Sequence, residues 1–209
     1  MTAPDPAAFW DRHAARYARM RIRDDAAYEA TLAHVRRHLG PTDAVLEIGC
    51  GTGTTALRLA GDVASYTGTD LSGAMIAIAE DKRRAAAMDT LRFLQAEASS
   101  AALPEAGFDA ALAFNLLHLL DDLPGTLRHL HQLLRPGGLL ISKTPCLGEN
   151  SSLLRLFIRA LRGIGFAPSM NFLIGDDLER AMGAAGFEIV ETARYPAGSS
   201  RHLIVARRA

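Results

Sequence analysis

The sequence predicts an α/β fold: a Rossmann-like, doubly wound sheet of seven strands, mostly parallel, with one antiparallel strand near the C-terminus and helices at the N-terminus. Three observations lead to this prediction. Short apolar runs alternate with helical stretches from residue 44 onward. A glycine-rich turn follows the first of these runs. The chain has 209 residues, 49% of them hydrophobic, which suits a single domain with one sizeable core.

Two helices are predicted between Asp5 and Leu39, before the first strand. In both segments apolar and aromatic residues recur every three or four positions, so they share one helix face. Gly40 and Pro41 end the second helix. We expect residues 1–40 to form a helical lid beside the sheet.

The remaining chain alternates between predicted strands and helices. Because crossovers between parallel strands are right-handed, the helices should cover both faces of the sheet. Only residues 195–201 join the last two strands, and a parallel pair needs a longer crossover, so this pair must be antiparallel. The predicted strands are Ala44–Ile48, Tyr66–Thr69, Leu91–Leu94, Phe108–Phe114, Gly138–Ser142, Phe187–Arg194 and His202–Ala206. The predicted helices are Gly53–Ala60, Gly73–Met88, Leu123–Leu134, Ser151–Ile164 and Asp176–Ala185.

The turn after the first strand reads Glu47-Ile48-Gly49-Cys50-Gly51-Thr52-Gly53. Glycines let the backbone turn tightly and approach a ligand, and the helix that follows offers free N–H groups. Asp70 ends the second strand, the position from which a carboxylate binds ribose hydroxyls. The alternative is a plain strand–helix turn with an Asp that caps the next helix.

The spacing of the turn separates two classes of cofactor. Dinucleotide sites have the pattern G-x-G-x-x-G, whereas this chain has G-x-G-x-G, with Thr54 where the third glycine would fall. Glu47 would repel a pyrophosphate but suits a cation. The sulfonium and amino groups of S-adenosylmethionine have the matching sign.

Val45–Gly53 and the later Asp70 resemble motif I and the strand-two acid of the class I S-adenosylmethionine-dependent methyltransferases. Three further segments resemble the same superfamily: the adenine-contacting segment, the fourth strand with its turn, and the turn into the fifth strand. The resemblance covers about residues 40–145 and is strongest to the small-molecule methyltransferases. The three segments are 93–98 with Leu103-Pro104, 108–118 and 134–140.

The resemblance implies a role for each residue of a cofactor site. The turn would surround the methionine part, with Glu47 ordering it or acting through water on the ammonium group. Asp70 would bind both ribose hydroxyls, and Tyr17 would close over the cofactor. The other implied contacts are Leu71 beneath the adenine, Glu97 (where the family usually has Asp) at the adenine amino group, the Ala98 N–H at the ring, and the Asn115 carbonyl at the ammonium group. The implied cofactor-binding residues are therefore Tyr17, Glu47, Gly49, Cys50, Gly51, Gly53, Asp70, Leu71, Glu97, Ala98 and Asn115.

His118 is the candidate catalytic residue, because it follows the fourth strand near the expected position of the reactive methyl group. A histidine there suits a general base on an acceptor hydroxyl. The alternative is a histidine that only packs at a helix start. The other histidines show no metal-ligand spacing, and neither do the two cysteines, so no metal site is expected.

Clues to the acceptor should lie in the N-terminal helices and in the insert, residues 144–175. The predicted helix Ser151–Ile164 carries Arg155, Arg159 and Arg162 on one face. Such a helix suits an anionic membrane surface or a lipid-like or acidic substrate, and the alternative is an ordinary surface helix. The loop 167–172 is expected to line the acceptor site. Lys143 is expected to face it or to pair with an acid.

These patterns predict S-adenosylmethionine-dependent methyl transfer to a small, lipid-like or quinone-like acceptor, by in-line displacement that depends mainly on positioning. The alternatives are a non-catalytic S-adenosylmethionine-binding regulator and a nicotinamide-dependent oxidoreductase. We expect one domain over 1–209, with a cofactor-binding core at 41–143 and a C-terminal helix and strand pair at 176–209. Balanced charge disfavours a nucleic-acid partner. The absence of a signal or membrane-spanning run favours a cytoplasmic monomer or homodimer.

Overall fold

The computed structural model describes residues 5–100, 103–149 and 170–209, which form one sheet of seven strands with helices on both faces. The strand order is β3-β2-β1-β4-β5-β7-β6. Strand β7 is antiparallel to both of its neighbours, and the other pairings are parallel. The predicted sheet is confirmed. The strands are β1 (Ala44–Ile48), β2 (Ser65–Asp70), β3 (Leu91–Gln95), β4 (Phe108–Phe114), β5 (Leu134–Pro145), β6 (Phe187–Arg194) and β7 (Arg201–Arg208).

Helices in the described ranges follow the predicted positions closely, and four of them begin at a side-chain cap. Asp5, Asp24, Ser72 and Asp122 each accept a hydrogen bond from a backbone N–H in the first turn of the helix that follows. The helices are α1 (Pro6–Ala18), α2 (Asp25–Arg36), α3 (Thr54–Leu59), α4 (Gly73–Ala85), α5 (Leu123–Leu133) and α6 (Gly175–Ala184). The predicted helix Ser151–Ile164 and its arginines lie outside the described residues.

Several predicted boundaries differ from the structure: α2 ends at Arg36, before the predicted stop at Gly40 and Pro41, and β5 and β7 continue to Pro145 and Arg208. Helix α4 ends at Ala85 rather than Met88, because Ala87 takes a left-handed conformation with φ of 51°. Strand β5 begins at Leu134 rather than Gly138, since Leu134 already pairs with Phe108 ahead of an irregularity in the β4–β5 register.

The core consists of two apolar clusters, one on each face of the sheet. Along β4, Ala111 and Ala113 belong to the cluster beneath α5 and α6, whereas Ala110 and Leu112 belong to the cluster beneath α2, α3 and α4. This alternation means that the central strands are buried on both faces, as expected for a sheet with helices on either side. No helix in the described ranges is long and apolar enough to cross a bilayer.

Gly53, at the start of α3, has a backbone conformation that favours glycine. Its φ is 74°, and a Cβ atom there would lie 2.6 Å from Cζ of the buried Phe93 ring. The turn between β1 and α3 therefore depends on the missing side chain for both its conformation and its packing.

Replacing Gly53 with alanine should lower the free energy of unfolding by about 1–3 kcal/mol, because it adds backbone strain and a clash with Phe93. Gly61→Ala is the matched control, since a Cβ at Gly61 meets nothing within 4 Å. The control should stay within about 1 kcal/mol of the wild-type protein. Urea unfolding of the three proteins makes the comparison, and equal losses in both variants would contradict it.

Candidate cofactor site

The glycine-rich turn lies where β1 ends and α3 begins, at the carboxyl edge of the central parallel strands. The Cys50 N–H donates to the Thr69 carbonyl at 2.9 Å, and the Gly53 N–H donates to the Cys50 carbonyl at 3.1 Å. From α4, the Lys82 ammonium donates to the Thr52 carbonyl at 2.9 Å. The turn is thus fixed to its two neighbouring elements before any ligand binds.

Gly49 brings the turn close to the loop after β4. Its φ is 64°, and a Cβ atom there would lie 2.7 Å from Cδ1 of Leu116. The neighbouring Asn115 also has a positive φ, 53°, and its N–H donates to the Lys143 carbonyl at 2.8 Å. Gly49 thus packs against Leu116, the residue that directly follows the predicted Asn115.

Glu47 is a buried acid directly beneath the turn, with 2% of its surface exposed. The Tyr66 hydroxyl donates to its Oε2 at 2.8 Å. Burial raises the pKa of Glu47 to about 8, and the nearby Asp70 charge raises it further, against the lowering effect of the Tyr66 hydrogen bond. At neutral pH the carboxyl is therefore largely protonated, and a cation placed near it would favour the charged form.

Asp70, at the end of β2, joins the turn to the start of α4. Its Oδ2 accepts from the Gly51 N–H and its Oδ1 from the Ser72 N–H, both at 2.9 Å. Burial raises the pKa of Asp70, although these two hydrogen bonds oppose that rise. Each carboxylate oxygen keeps a free lone pair, so Asp70 has acceptor capacity for ligand hydroxyls.

Helix α1 brings Tyr17 to the turn. A Cβ atom on Gly51 would lie 3.6 Å from Cε1 of the Tyr17 ring. Burial raises the pKa of Tyr17, and the charges of Asp70 and Glu47 raise it further. Three residues that are distant in sequence, Tyr17, Glu47 and Asp70, therefore converge on one turn.

The position of α1 depends on Asp11, which the sequence analysis did not single out. Its Oδ1 accepts from the Ser72 hydroxyl at 2.6 Å and from the Ala74 N–H at 3.0 Å. The Ser72 bond, followed by the Ala74 bond, lowers the pKa of Asp11. Since Ser72 follows Asp70 by two residues, the same short segment holds the turn and anchors α1. Sequence spacing gives no signal for such a contact between distant elements.

The segment predicted to contact adenine lies beside Asp70 and Leu71. The Ala96 N–H donates to the Asp70 carbonyl at 3.0 Å, and Gln95 Nε2 donates to the Leu71 carbonyl at 3.2 Å. Leu71 and Ala98 are half-buried, whereas Glu97 is exposed. Glu97 and Ala98 thus directly follow residues that are hydrogen-bonded to Asp70 and Leu71.

His118 lies in a short helical turn at Leu117–Leu119 and is 7% exposed. Burial lowers its pKa to about 4, so the imidazole is neutral at physiological pH. Within the part of the chain that the structure describes, its Nδ1 has no hydrogen-bond partner. The Asn171 N–H donates to the His118 carbonyl at 2.6 Å, so the end of the insert is attached to this turn.

Lys143 is buried, and it forms no ion pair with an acid among the described residues, contrary to one of the two expectations. Its ammonium donates to the Thr31 hydroxyl on α2 at 2.6 Å and lies 5.8 Å from the centre of the Tyr195 ring. Burial lowers its pKa to about 8, with a further lowering from Arg201. Lys143 thus connects the end of β5 to α2.

Comparisons with known proteins agree with this architecture. A family profile described as a methyltransferase domain matches residues 14–192. A hybrid PKS-NRPS synthetase of Macrophomina phaseolina is 30% identical over 177 residues, 77% of this chain and 4% of that protein. An uncharacterized methyltransferase of Mycobacterium tuberculosis is 36% identical over 99 residues, 47% of this chain and 49% of the relative. The chain thus spans at most about half the length of these relatives.

One solved structure with the same fold is geranyl diphosphate C-methyltransferase from Streptomyces coelicolor, in complex with Mg²⁺, geranyl diphosphate and S-adenosyl-L-homocysteine. Its TM-score is 0.73 at 16% identity, and the match covers 87% of this chain and 79% of that chain. At this level of identity the likeness concerns the fold.

The buried carboxyl of Glu47 makes the stability of the ligand-free protein depend on pH. Its native pKa of about 8 exceeds the 4.5 of an ordinary glutamate, so between these values unfolding releases a proton. The contribution of Glu47 to the free energy of unfolding should therefore fall by about 1.4 kcal/mol per pH unit as the pH rises through this range.

Glu47→Gln keeps an acceptor for Tyr66 but does not titrate. We expect the variant to gain stability relative to the wild-type protein between about pH 5 and pH 8, the window that the shifted pKa defines. Urea unfolding of both proteins across this range measures the difference. Parallel stability curves for the two proteins would show that Glu47 does not carry the effect.

Proposed function

We propose that this chain, which belongs to the class I S-adenosylmethionine-dependent methyltransferases, methylates a small-molecule acceptor. The enzyme class and the cofactor follow from the family, so a nicotinamide-dependent reaction is set aside. The acceptor class is our inference. It is supported by the balanced charge of the chain and by the way the insert is attached at the carboxyl end of β4 and β5.

The attachment of the insert is the observation that carries this proposal. The two described ends of the insert are joined, since the Gly148 N–H donates to the Leu173 carbonyl at 2.8 Å. The Gly175 N–H donates to the Glu149 carboxylate at 3.0 Å. Asn171 then contacts the turn after β4 through the carbonyls of His118 and Leu120, both at 2.6 Å. An acceptor bound beside this turn would meet the attached end of the insert on one side, which favours a small molecule over a polymer.

The surroundings of that turn favour an acceptor with apolar parts. Leu116, Leu119 and Leu120 are half-buried around His118, and Phe172 is half-buried on the insert side. Apolar side chains with a few polar groups are typical of small-molecule sites. The geranyl diphosphate methyltransferase with the same fold acts on a small prenyl compound. We infer a lipid-like or polyketide-like acceptor from the combination.

The candidate cofactor residues fit S-adenosylmethionine in charge and in shape. Bound S-adenosylmethionine supplies an electrophilic methyl group on a sulfonium centre. Glu47 would favour the cationic part of the ligand, because a nearby positive charge stabilises its carboxylate. Asp70 would accept hydrogen bonds from the ribose hydroxyls. The glycines of the turn have positive φ and no side chain, so a ligand can come close to their backbone.

The described residues suit a reaction that depends on positioning. Holding reactants in line can lower the barrier by several kcal/mol, without a covalent intermediate on the protein.

Tyr17 would close the cofactor side, as part of a lid formed by residues 1–40. Residues 41–143 would form the cofactor-binding core, residues 144–175 the acceptor side, and residues 176–209 the C-terminal unit that completes the sheet.

His118 would act by hydrogen bonding rather than as a strong base. With a pKa of about 4, its imidazole is neutral at pH 7 but weakly basic. Its Nδ1, which has no hydrogen-bond partner among the described residues, would orient a polar atom of the acceptor. The residue therefore joins the proposal as a positioning group.

Removal of the Asp70 carboxylate should weaken cofactor binding at least tenfold, because the ribose hydroxyls lose charged acceptors worth about 1.5–3 kcal/mol. Asp70→Ala tests this by calorimetry with S-adenosylhomocysteine. Asp109→Asn is the matched control, since Asp109 also accepts a backbone N–H, from Ala44, but does so where β1 and β4 begin. The control should bind as the wild-type protein does. Equal affinity in all three proteins would overturn the role of Asp70.

Methyl transfer to a small molecule should be visible when the enzyme, labelled S-adenosylmethionine and a metabolite extract are combined. Label is expected in the extractable fraction and should be identifiable there by mass spectrometry. His118→Ala should raise the KM for the acceptor and leave the cofactor Kd unchanged, whereas the control His129→Ala, a histidine of α5, should change neither. Label found only in precipitated protein or nucleic acid would overturn the proposed acceptor class.

A further inference from the structure

A cluster of two histidines and one glutamate lies where the end of α2 meets β6, the edge strand of the sheet. His34 is in the last turns of α2, and His38 follows it one helical turn later. Glu191 reaches both: its Oε1 is 3.0 Å from His34 Nε2, and its Oε2 is 3.2 Å from His38 Nε2. The ligand atoms of the three residues all lie within 4.8 Å of one another.

The ring of His34 presents an unsatisfied nitrogen to this cluster. His34 is 2% exposed. Its Nε2 makes no hydrogen bond of good geometry with any described residue, although Glu191 is near. Leaving a buried polar atom unpaired costs free energy, so buried polar atoms in folded proteins generally have a partner. A metal ion would satisfy Nε2, because metal ligation uses the lone pair that points at the carboxylate.

Tyr195 fixes the other side of the same ring. Its hydroxyl is 2.8 Å from His34 Nδ1. If Nδ1 carries the proton and donates to this hydroxyl, the lone pair of Nε2 faces His38 and Glu191. A hydrogen bond from the second ring nitrogen is the usual support of a metal-binding histidine.

We propose that His34, His38 and Glu191 bind one divalent transition-metal ion of the zinc class, with water at the remaining position. Two imidazole nitrogens and a carboxylate suit zinc and its neighbours, whereas magnesium and calcium prefer oxygen ligands throughout. Bonds of about 2.0–2.1 Å in a tetrahedron place ligand atoms about 3.3 Å apart. The separations of 3.0 Å from His34 Nε2 to Oε1 and of 3.2 Å from His38 Nε2 to Oε2 are close to that value, and because they involve both oxygens the carboxylate could ligate the ion through either one.

Among the described residues, Arg37 is a cation close to the cluster that the metal must tolerate. Its Nη2 lies 3.1 Å from His34 Nδ1 and 3.3 Å from Glu191 Oε1. A guanidinium only donates hydrogen bonds, so its contact with Nδ1 must break when Nδ1 carries the proton. The side chain is 61% exposed, so it can move into solvent when an ion enters. The guanidinium therefore lowers the affinity of the site but does not block it.

The site would join two elements that are distant in sequence. Glu191 lies 153 residues from His38, so sequence spacing could not supply the third ligand. The expectation of no metal site overlooked that His34 and His38 stand four residues apart, a spacing that puts two histidines on one helix face. Strand β6 is four strands from β1 in the sheet, so the cluster lies away from the glycine-rich turn. A bound ion would cross-link α2 to the edge of the sheet, and it would take no direct part in the chemistry of methyl transfer.

Zinc binding to the chelator-treated full chain is expected at one ion per protein by calorimetry. His38→Ala and Glu191→Gln should each weaken it at least tenfold. Glu179→Gln is the matched control, because Glu179 also contacts a buried histidine, His202, at 2.8 Å, but without a second histidine. The control should bind zinc as the wild-type protein does, and circular dichroism checks that all variants are folded.

Cobalt provides a second readout on the same proteins. The cobalt-loaded chain should show visible d–d bands without a thiolate charge-transfer band, since neither cysteine belongs to the cluster. Zinc should also raise the Tm of the wild-type protein and of Glu179→Gln, but not of His38→Ala. Absence of zinc binding, or equal binding in the His38 and Glu191 variants and the control, would overturn the proposal.

Discussion

The burial of one carboxyl, that of Glu47, is the constraint around which the cofactor side of this protein is arranged. The parallel register sets Glu47 beside Gly68 on β2, so that Tyr66 and Asp70 lie on either side of that position. Tyr66 provides the hydrogen bond that a buried carboxyl needs. Asp70 holds the turn above it. A second acid nearby increases the cost of ionising Glu47, so the protein alone favours a neutral carboxyl, and a cationic ligand would reverse that preference.

The sequence was sufficient for those parts of the protein that depend on local patterns. The strands β1 and β4 begin and end where alternation and turn signals predict, and the final antiparallel pair follows from a connection too short for a crossover. The turn and Asp70 were recognisable for the same reason, since strand, turn and helix follow directly along the chain. The Asp11–Ser72 contact and the Tyr66–Glu47 bond were not, because each joins elements whose proximity only the fold determines.

Lys143 illustrates how tertiary packing decides the role of a polar residue. Its place after an apolar run suggested a group that faces a substrate or an acid. The strand instead continues to Pro145, and Lys143 points to the hydroxyl of Thr31 on α2. Burial lowers the pKa of Lys143 to about 8, because no described carboxylate forms an ion pair with it and the Asp24 charge opposes the shift only in part. Its main-chain carbonyl also accepts from Asn115, so one residue links α2 to the turn after β4.

Helix α2 thereby extends from one proposed site to the other. Near its first turn, the Tyr28 hydroxyl lies 3.2 Å from that of Thr55, at the start of α3 behind the glycine-rich turn. In its middle, Thr31 holds Lys143, and at its end His34 and His38 meet Glu191. An ion bound at the end of α2 would restrict the same helix that supports the start of α3. Coupling between the two sites therefore needs no contact between metal and cofactor, only a rigid helix of three turns that both ends hold in place.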